Sequence, residues 1–112
     1  MHEKCIFCDI AAGVSHADVV HETPDALVFH DANPQAPTHL LAIPKKHVTT
    51  LNDAEPQLIA ALFEAVKTAA AKGGFADTGY RTVINTHRQA GQSVWHLHIH
   101  ILAGRAMRLP LG

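Results

Sequence analysis

Apolar residues along this chain recur with two different periods, and the change from one to the other marks its elements. Leu58, Leu62, Val66 and Ala69 repeat at three- and four-residue spacing, and Ile59, Phe63 and Ala70 widen the stripe, which predicts one long helix over residues 54–72. Asp53 is placed to cap its start, Pro56 suits its first turn, and Gly73 and Gly74 supply the stop. Ile6, Phe7 and Ile10 form a shorter stripe, predicting a short helix over residues 5–12 that Gly13 ends. Strands are expected over Val19–Glu22 and residues 26–31, 39–43, 80–86 and 94–103. The turn residues Thr23, Pro24 and Asp25 make the first two a hairpin, Pro34 and Pro37 stiffen the loop over residues 33–37, and Pro44 ends the third strand. Consecutive strands without helices between them imply an α+β fold, a five-stranded and mainly antiparallel sheet with one long and one short helix. One domain over residues 1–112 is expected, with residues 103–112 as a C-terminal tail.

The last strand carries the most informative pattern. Side chains alternate between the faces of a strand, so His96, His98 and His100 share one face and Leu97, Ile99 and Ile101 the other. With ten histidines in 112 residues, random placement gives a triplet at this spacing in only about 0.08 of such chains. A polar strand face that is histidine by chance and a set of three metal ligands are the bland readings. The sharper reading is nucleophilic chemistry: a neutral imidazole attacks well near pH 7 when a neighbour accepts its other N–H, and His98 sits between two more imidazoles. Upstream, Gly91, Gln92 and Ser93 offer a turn, an amide and a hydroxyl suited to phosphate oxygens, although the tripeptide alone would be only a turn.

Composition narrows the setting. Hydrophobic residues at 47% and charged residues at 17% are ordinary for a folded domain, and a formal charge of −1 with scattered Lys and Arg gives no footprint for duplex nucleic acid. No apolar run reaches the roughly 20 residues of a membrane span and the start has no signal-peptide core, so a cytoplasmic location is expected. Cys5 and Cys8 form a C-x-x-C pair, which in a reducing compartment reads as a metal site or a redox motif. A redox role lacks the βαβ context it usually has.

Residues 96–102 resemble the signature of the histidine triad family, His-φ-His-φ-His-φ-φ with φ apolar. The resemblance extends to Cys5 through Cys8, residues 26–31, the strings Pro-Gln-Ala-Pro-Thr-His at residues 34–39 and Ile-Pro-Lys-Lys-His at residues 43–47, Asn85, and Gly91 through Ser93. The two strings look most like the Hint branch, homodimeric nucleoside phosphoramidases. The resemblance implies that His98 attacks the α-phosphorus of a purine nucleoside phosphoramidate, forms a nucleotidyl-histidine and releases a nucleoside monophosphate of the AMP or GMP type. It implies phosphate-site roles for His39, Asn85, Gln92, Ser93 and His100, and a nucleoside site made by Ile6, Phe7, Ile10, Phe29, His30, Asp31 and Leu41. Asp31 would hold the ribose hydroxyls; on sequence alone it is equally a turn residue at a strand end, and the apolar members are equally core. Cys5, Cys8, His47 and His96 match the positions at which some bacterial relatives bind structural zinc, two thiolates and two imidazoles making a closed tetrahedral set. No organic cofactor is expected.

Leu109 stands where animal relatives carry a tail tryptophan, Ala32 replaces a larger apolar residue, and His87, Arg88 and Gln89 form an unusual polar loop. Two other functions remain open at this point, a dinucleoside polyphosphate hydrolase and a zinc-stabilised nucleotide-binding module with little catalysis.

Overall fold

The computed structural model describes residues 5–112, so residues 1–4 of the expected domain lie outside it. Its elements run α1 (Ile6–Ala11), β1 (Val19–Glu22), β2 (Ala26–His30), β3 (Thr38–Pro44), a 3-10 turn (Leu51–Asp53), α2 (Pro56–Gly73), β4 (Arg81–Val83), a second 3-10 turn (Arg88–Ala90) and β5 (Ile99–Ala103). The five strands form one antiparallel sheet in the order β1-β2-β3-β5-β4. This is the α+β architecture that the periodicity predicts.

Each face of the sheet has its own apolar layer. Helix α2 lays Leu62, Ala65, Val66, Ala69 and Ala70 on one face, against Ala26, Val28, Leu40, Ala42, Leu97, Ile99 and Ile101. On the other face α1 contributes Phe7 to a cluster with Leu27, Phe29, Leu41 and Ile43. The two clusters sort β2 and β3 by alternate residues, as period-two strands require. The stripe of α2 is displaced by part of a turn from its sequence reading. Ala65 is buried, whereas Leu58, Ile59 and Phe63 are half-buried.

Asp53 caps an element other than the expected one. Its carboxylate accepts the Thr50 backbone N–H at 3.2 Å and the Thr50 hydroxyl at 2.9 Å, closing a capping box on the 3-10 turn. Helix α2 starts two residues later, at Pro56, whose missing N–H is an orphan there anyway. Gly74 closes the helix in the left-handed conformation, φ 76°, and its N–H bonds the carbonyls of Ala70 and Ala71.

The last strand is also shorter than its pattern suggests, beginning at Ile99 rather than at residue 94. The reason lies in its neighbour. In the β3–β5 register Ala42 pairs with Ile99, so Leu97 would face Pro44, which has no N–H to give the ladder. The Leu97 N–H instead donates to the Val48 carbonyl at 2.7 Å. Strand β4 stops at Val83, which pairs with His100, one residue from the start of β5.

Ile99 is completely buried between the sheet and α2. Truncating it to alanine removes three heavy atoms from a site that cannot collapse fully, and stability falls by about 2–5 kcal/mol. Urea unfolding of Ile99→Ala should therefore show a lower midpoint with an unchanged slope.

Candidate active site

All three histidines of the row are present on the α1 side, but the main chain gives each a different partner. His96 is fully buried. Its Nε2–H donates to the carbonyl of Pro44 at 2.9 Å, which leaves Nδ1 as a lone pair facing Cys5 Sγ at 3.4 Å and Cys8 Sγ at 3.5 Å. His98 is 8% exposed, and its Nδ1–H donates to the carbonyl of His96 at 2.8 Å. A neutral ring protonated at Nδ1 carries its lone pair on Nε2, and Nε2 has no partner among the described residues. Phe7 packs edge-on against this ring, centroids 5.2 Å apart.

The third ring takes its state from further away. The Gln35 backbone N–H points at His39 Nδ1, 2.9 Å away. An amide can only donate, so His39 accepts at Nδ1 and carries its proton on Nε2. This Nε2–H donates to His100 Nδ1, 2.9 Å from Nε2, and Nε2 also lies 3.3 Å from Asp31 Oδ2. His100, accepting at Nδ1, is left with an Nε2–H to donate. The two rings of the site beside each other, His98 and His100, have centroids 5.0 Å apart. One offers a lone pair and the other a proton, the complementary pair that attack on a phosphorus and binding of its oxygen require.

Electrostatics keep the donors neutral. Burial holds the His39 pKa below its usual 6.5, with the Asp31 carboxylate working against it. Burial also lowers His100, helped by the neighbouring His98 and His39 and opposed by Asp31, to about 4.

A cleft of about 180 Å³ opens beside this group, lined by Ile10, Phe29, His30 and Asp31 of the expected nucleoside site. It is completed by His16, Ala17, Asp18 and Ala32. The first three come from an aperiodic loop and carry no sequence signal. Phe7 and Leu41 lie buried in the cluster under Phe29, while Ile6 is 47% exposed and His30 faces solvent at the rim. Asp31 belongs to both regions, since it lines the cleft and touches His39.

The expected phosphate residues divide into two groups. Asn85 is half-buried, Ser93 is exposed, and neither side chain has a hydrogen-bond partner among the described residues. Gln92 is buried and spent on the main chain. Its Oε1 accepts the His87 N–H at 2.9 Å, and its Nε2 donates to the carbonyls of Thr49 at 2.8 Å and Val94 at 3.2 Å. The polar loop it ties down holds His87 at φ 68°, with the His87 ring 6.0 Å from that of Trp95.

Cys5, Cys8, His47 and His96 come together, with ligand atoms all within 4.8 Å of one another and Cys8 Sγ 3.1 Å from His47 Nδ1. Two Zn–S bonds of ~2.3 Å and two Zn–N bonds of ~2.05 Å at the tetrahedral angle put S and N about 3.6 Å apart, close to the 3.1–3.5 Å seen. Burial first, then hydrogen bonding and charge from Cys5 and charge from Asp9, push the Cys8 thiol up to about 11, so a thiolate here requires a cation beside it. Asp31, His39 and His100 form a second cluster of possible ligands. That set is unsuited to a metal, because the Gln35 N–H occupies the one nitrogen of His39 that would have to carry the proton when the other coordinates.

The model of the HIT domain, the histidine triad domain, matches residues 12–107. The chain belongs to the HIT family. A HIT-like protein of Synechococcus elongatus is 44% identical over the full length of both chains. The purine nucleoside phosphoramidase of Escherichia coli K12 is 39% identical over all of this chain and 93% of its own. Among solved structures, a HIT family hydrolase from Legionella pneumophila superposes with a TM-score of 0.93 at 46% identity, covering 97% of this HIT protein and all of the relative. The family and its hydrolase relatives make this chain a nucleotide hydrolase of the HIT type. Among the described residues no helix is long and apolar enough to cross a membrane.

The lowered His100 pKa has a signed consequence. Between about pH 4 and 6.5 the unfolded chain binds a proton at this ring that the folded protein refuses. The stability due to the neutral ring is thus complete above pH 6.5 and is lost as pH falls towards 4. A pH series of thermal midpoints should show the wild type declining through this window and His100→Asn declining less steeply.

Proposed function

We propose that this HIT protein hydrolyses purine nucleoside phosphoramidates at the P–N bond, through a covalent intermediate on His98. One observation carries the reading: Asp31 joins the cleft of about 180 Å³ to the histidine network by its 3.3 Å contact with His39, so a nucleotide with its sugar on Asp31 would have its phosphate towards His98 and His100. The purine would lie between Ile10 and Phe29, and the Asp31 carboxylate would accept from the ribose hydroxyls. Phe7 and Leu41 form the apolar floor, with Ile6 and His30 at the margins.

The chemistry follows from the tautomers. His98 Nε2 attacks the α-phosphorus with its lone pair, and the P–N bond to the leaving amine breaks with its electron pair going to the amine nitrogen, which takes up a proton from solvent. The ring, now bonded through Nε2 and still protonated at Nδ1, is cationic, and the His96 carbonyl stabilises it at 2.8 Å. His100 Nε2–H, Ser93 and Asn85 would donate to the non-bridging oxygens. Water then attacks phosphorus from the opposite side and releases a proton to solvent, the P–N bond to His98 breaks with its electron pair returning to Nε2, and the nucleoside monophosphate leaves. Gln92 acts in this scheme by holding the loop that carries Ser93, its own amide being occupied.

The Cys5, Cys8, His47 and His96 set fits zinc by donor type, spacing and the Pro44-directed tautomer of His96, and a closed set of four protein ligands serves structure. Such an ion would pin α1 and its Phe7 to the sheet. The free thiols suit a cytosolic setting. Homodimerisation is supported by the edge position of the three-residue β4, whose outer backbone groups have no sheet partner in one chain, and by Trp95, 45% exposed.

The direct test is turnover of an adenosine phosphoramidate with mass spectrometry of the quenched enzyme. His98→Ala should lose at least ~10³-fold in kcat and form no nucleotidyl adduct, and turnover near the wild-type rate in this variant would end the mechanism. On the same samples one zinc per chain is expected for the wild type and little for Cys8→Ser. Sedimentation should give twice the 12.1 kDa chain mass.

A further inference from the structure

The C-terminal tail reaches the catalytic network through a contact that the scheme above does not use. Beyond β5, the Arg105 Nη2–H donates to the carbonyl of Gln35 at 3.0 Å, and Nη1 holds the carbonyl of Ala106 at 3.1 Å. Gln35 is the residue whose own N–H, at 2.9 Å, decides which nitrogen of His39 is protonated. Gly104 makes a second contact with the same loop. It sits at φ 98°, so close to it that an added Cβ would lie 2.8 Å from Pro37 Cβ and 3.4 Å from the Thr38 nitrogen.

We propose that Arg105 is a positioning residue for the histidine network, holding Gln35 in the conformation that aims its N–H at His39 and thereby setting the tautomers of His39 and His100. The link runs from the Arg105 guanidinium to the Gln35 carbonyl, from the Gln35 N–H to His39 Nδ1, and from His39 Nε2–H to His100 Nδ1. It ends on the one proton of His100 that remains for a substrate oxygen. Gln35 lies in a loop without regular structure, and its side chain helps only locally, donating to the Asn33 carbonyl at 3.1 Å. Pro34 and Pro37 restrict φ at two positions, but no ring restricts φ and ψ of Gln35, the joint between the peptide that carries its N–H and the peptide that carries its carbonyl; a guanidinium bonded to that carbonyl, with Pro37 packed against Gly104, holds the far side of this joint. Once the Pro34–Gln35 peptide rotates about that joint, His39 Nδ1 loses its obligatory donor. The ring can then protonate at Nδ1, accept at Nε2, and reverse the direction of the bond to His100.

The inference rests on the phosphoramidase reading for its catalytic consequence, but its structural half can be measured without substrate. Long-range proton–nitrogen NMR spectra of ¹⁵N-histidine-labelled full-length protein report each tautomer in the resting state. In the wild type His39 and His100 should be protonated at Nε2 and His98 at Nδ1. In Arg105→Ala the His39 and His100 nitrogens should move towards a tautomer mixture while His98 stays as it was. On an adenosine phosphoramidate the same variant should lose about three- to tenfold in kcat, with KM within about twofold of wild type. Arg105→Lys, which keeps a cationic donor, should recover most of both signals. Arg108→Met, the loss of a neighbouring tail charge, should change neither. Wild-type His39 and His100 spectra in Arg105→Ala would overturn the proposal whatever its turnover, and so would shifted spectra with an unchanged kcat. A wild-type enzyme with the expected spectra and no turnover of phosphoramidates would overturn the substrate reading instead, and leave the tautomer assignment standing.

Discussion

The imidazoles on this sheet face take their protonation from the main chain. A backbone amide can only donate and a carbonyl can only accept, and neither changes with pH, so each fixes one end of a ring that could otherwise adopt either tautomer. Pro44 and His96 provide the carbonyls, for His96 and His98, and Gln35 provides the amide, for His39 and through it His100. The metal-type cluster and the reacting pair both depend on this. Without those three peptide groups the same side chains would be a collection of rings with no defined donor or acceptor.

The architecture supplies those peptide groups by splitting its burial between two layers. Helix α2 covers one face of the sheet with aliphatic side chains and contributes nothing to the site beyond rigidity. That leaves the other face to be covered by a six-residue helix and a loop, which is enough apolar cover for Phe7, Phe29, Leu41 and Ile43 and leaves the histidines a path to solvent. His39 and His98 tolerate near-complete burial because the nitrogens that face the interior have a main-chain or imidazole partner.

Much of this is legible in the residues themselves. Alternation alone places His96, His98 and His100 on the same side, and the helical stripe and hairpin turn give the element order. Family resemblance adds Asp31, His39 and the Cys/His set, which local pattern cannot bring together because they come from five separate segments. What stays hidden is set by contacts distant in sequence. The end of the β5 ladder depends on Pro44 in another strand, and the capping of the 3-10 turn by Asp53 depends on Thr50 outbidding the helix that follows. The cleft wall of His16, Ala17 and Asp18 lies in a loop with no period. The occupied amide of Gln92 could not be foreseen either, since an amide side chain reads the same whether its partners are phosphate oxygens or peptide groups.

Residue 96 is where two sites meet in a single amino acid. Its ring belongs to the sulfur cluster under α1, and its own carbonyl, a few bonds away, holds the nucleophile's Nδ1–H. The two cannot drift apart over generations of sequence change. A descendant that discards the cysteines changes the surroundings of the same buried residue whose carbonyl aims the attacking imidazole, so a loss at one site is felt at the other.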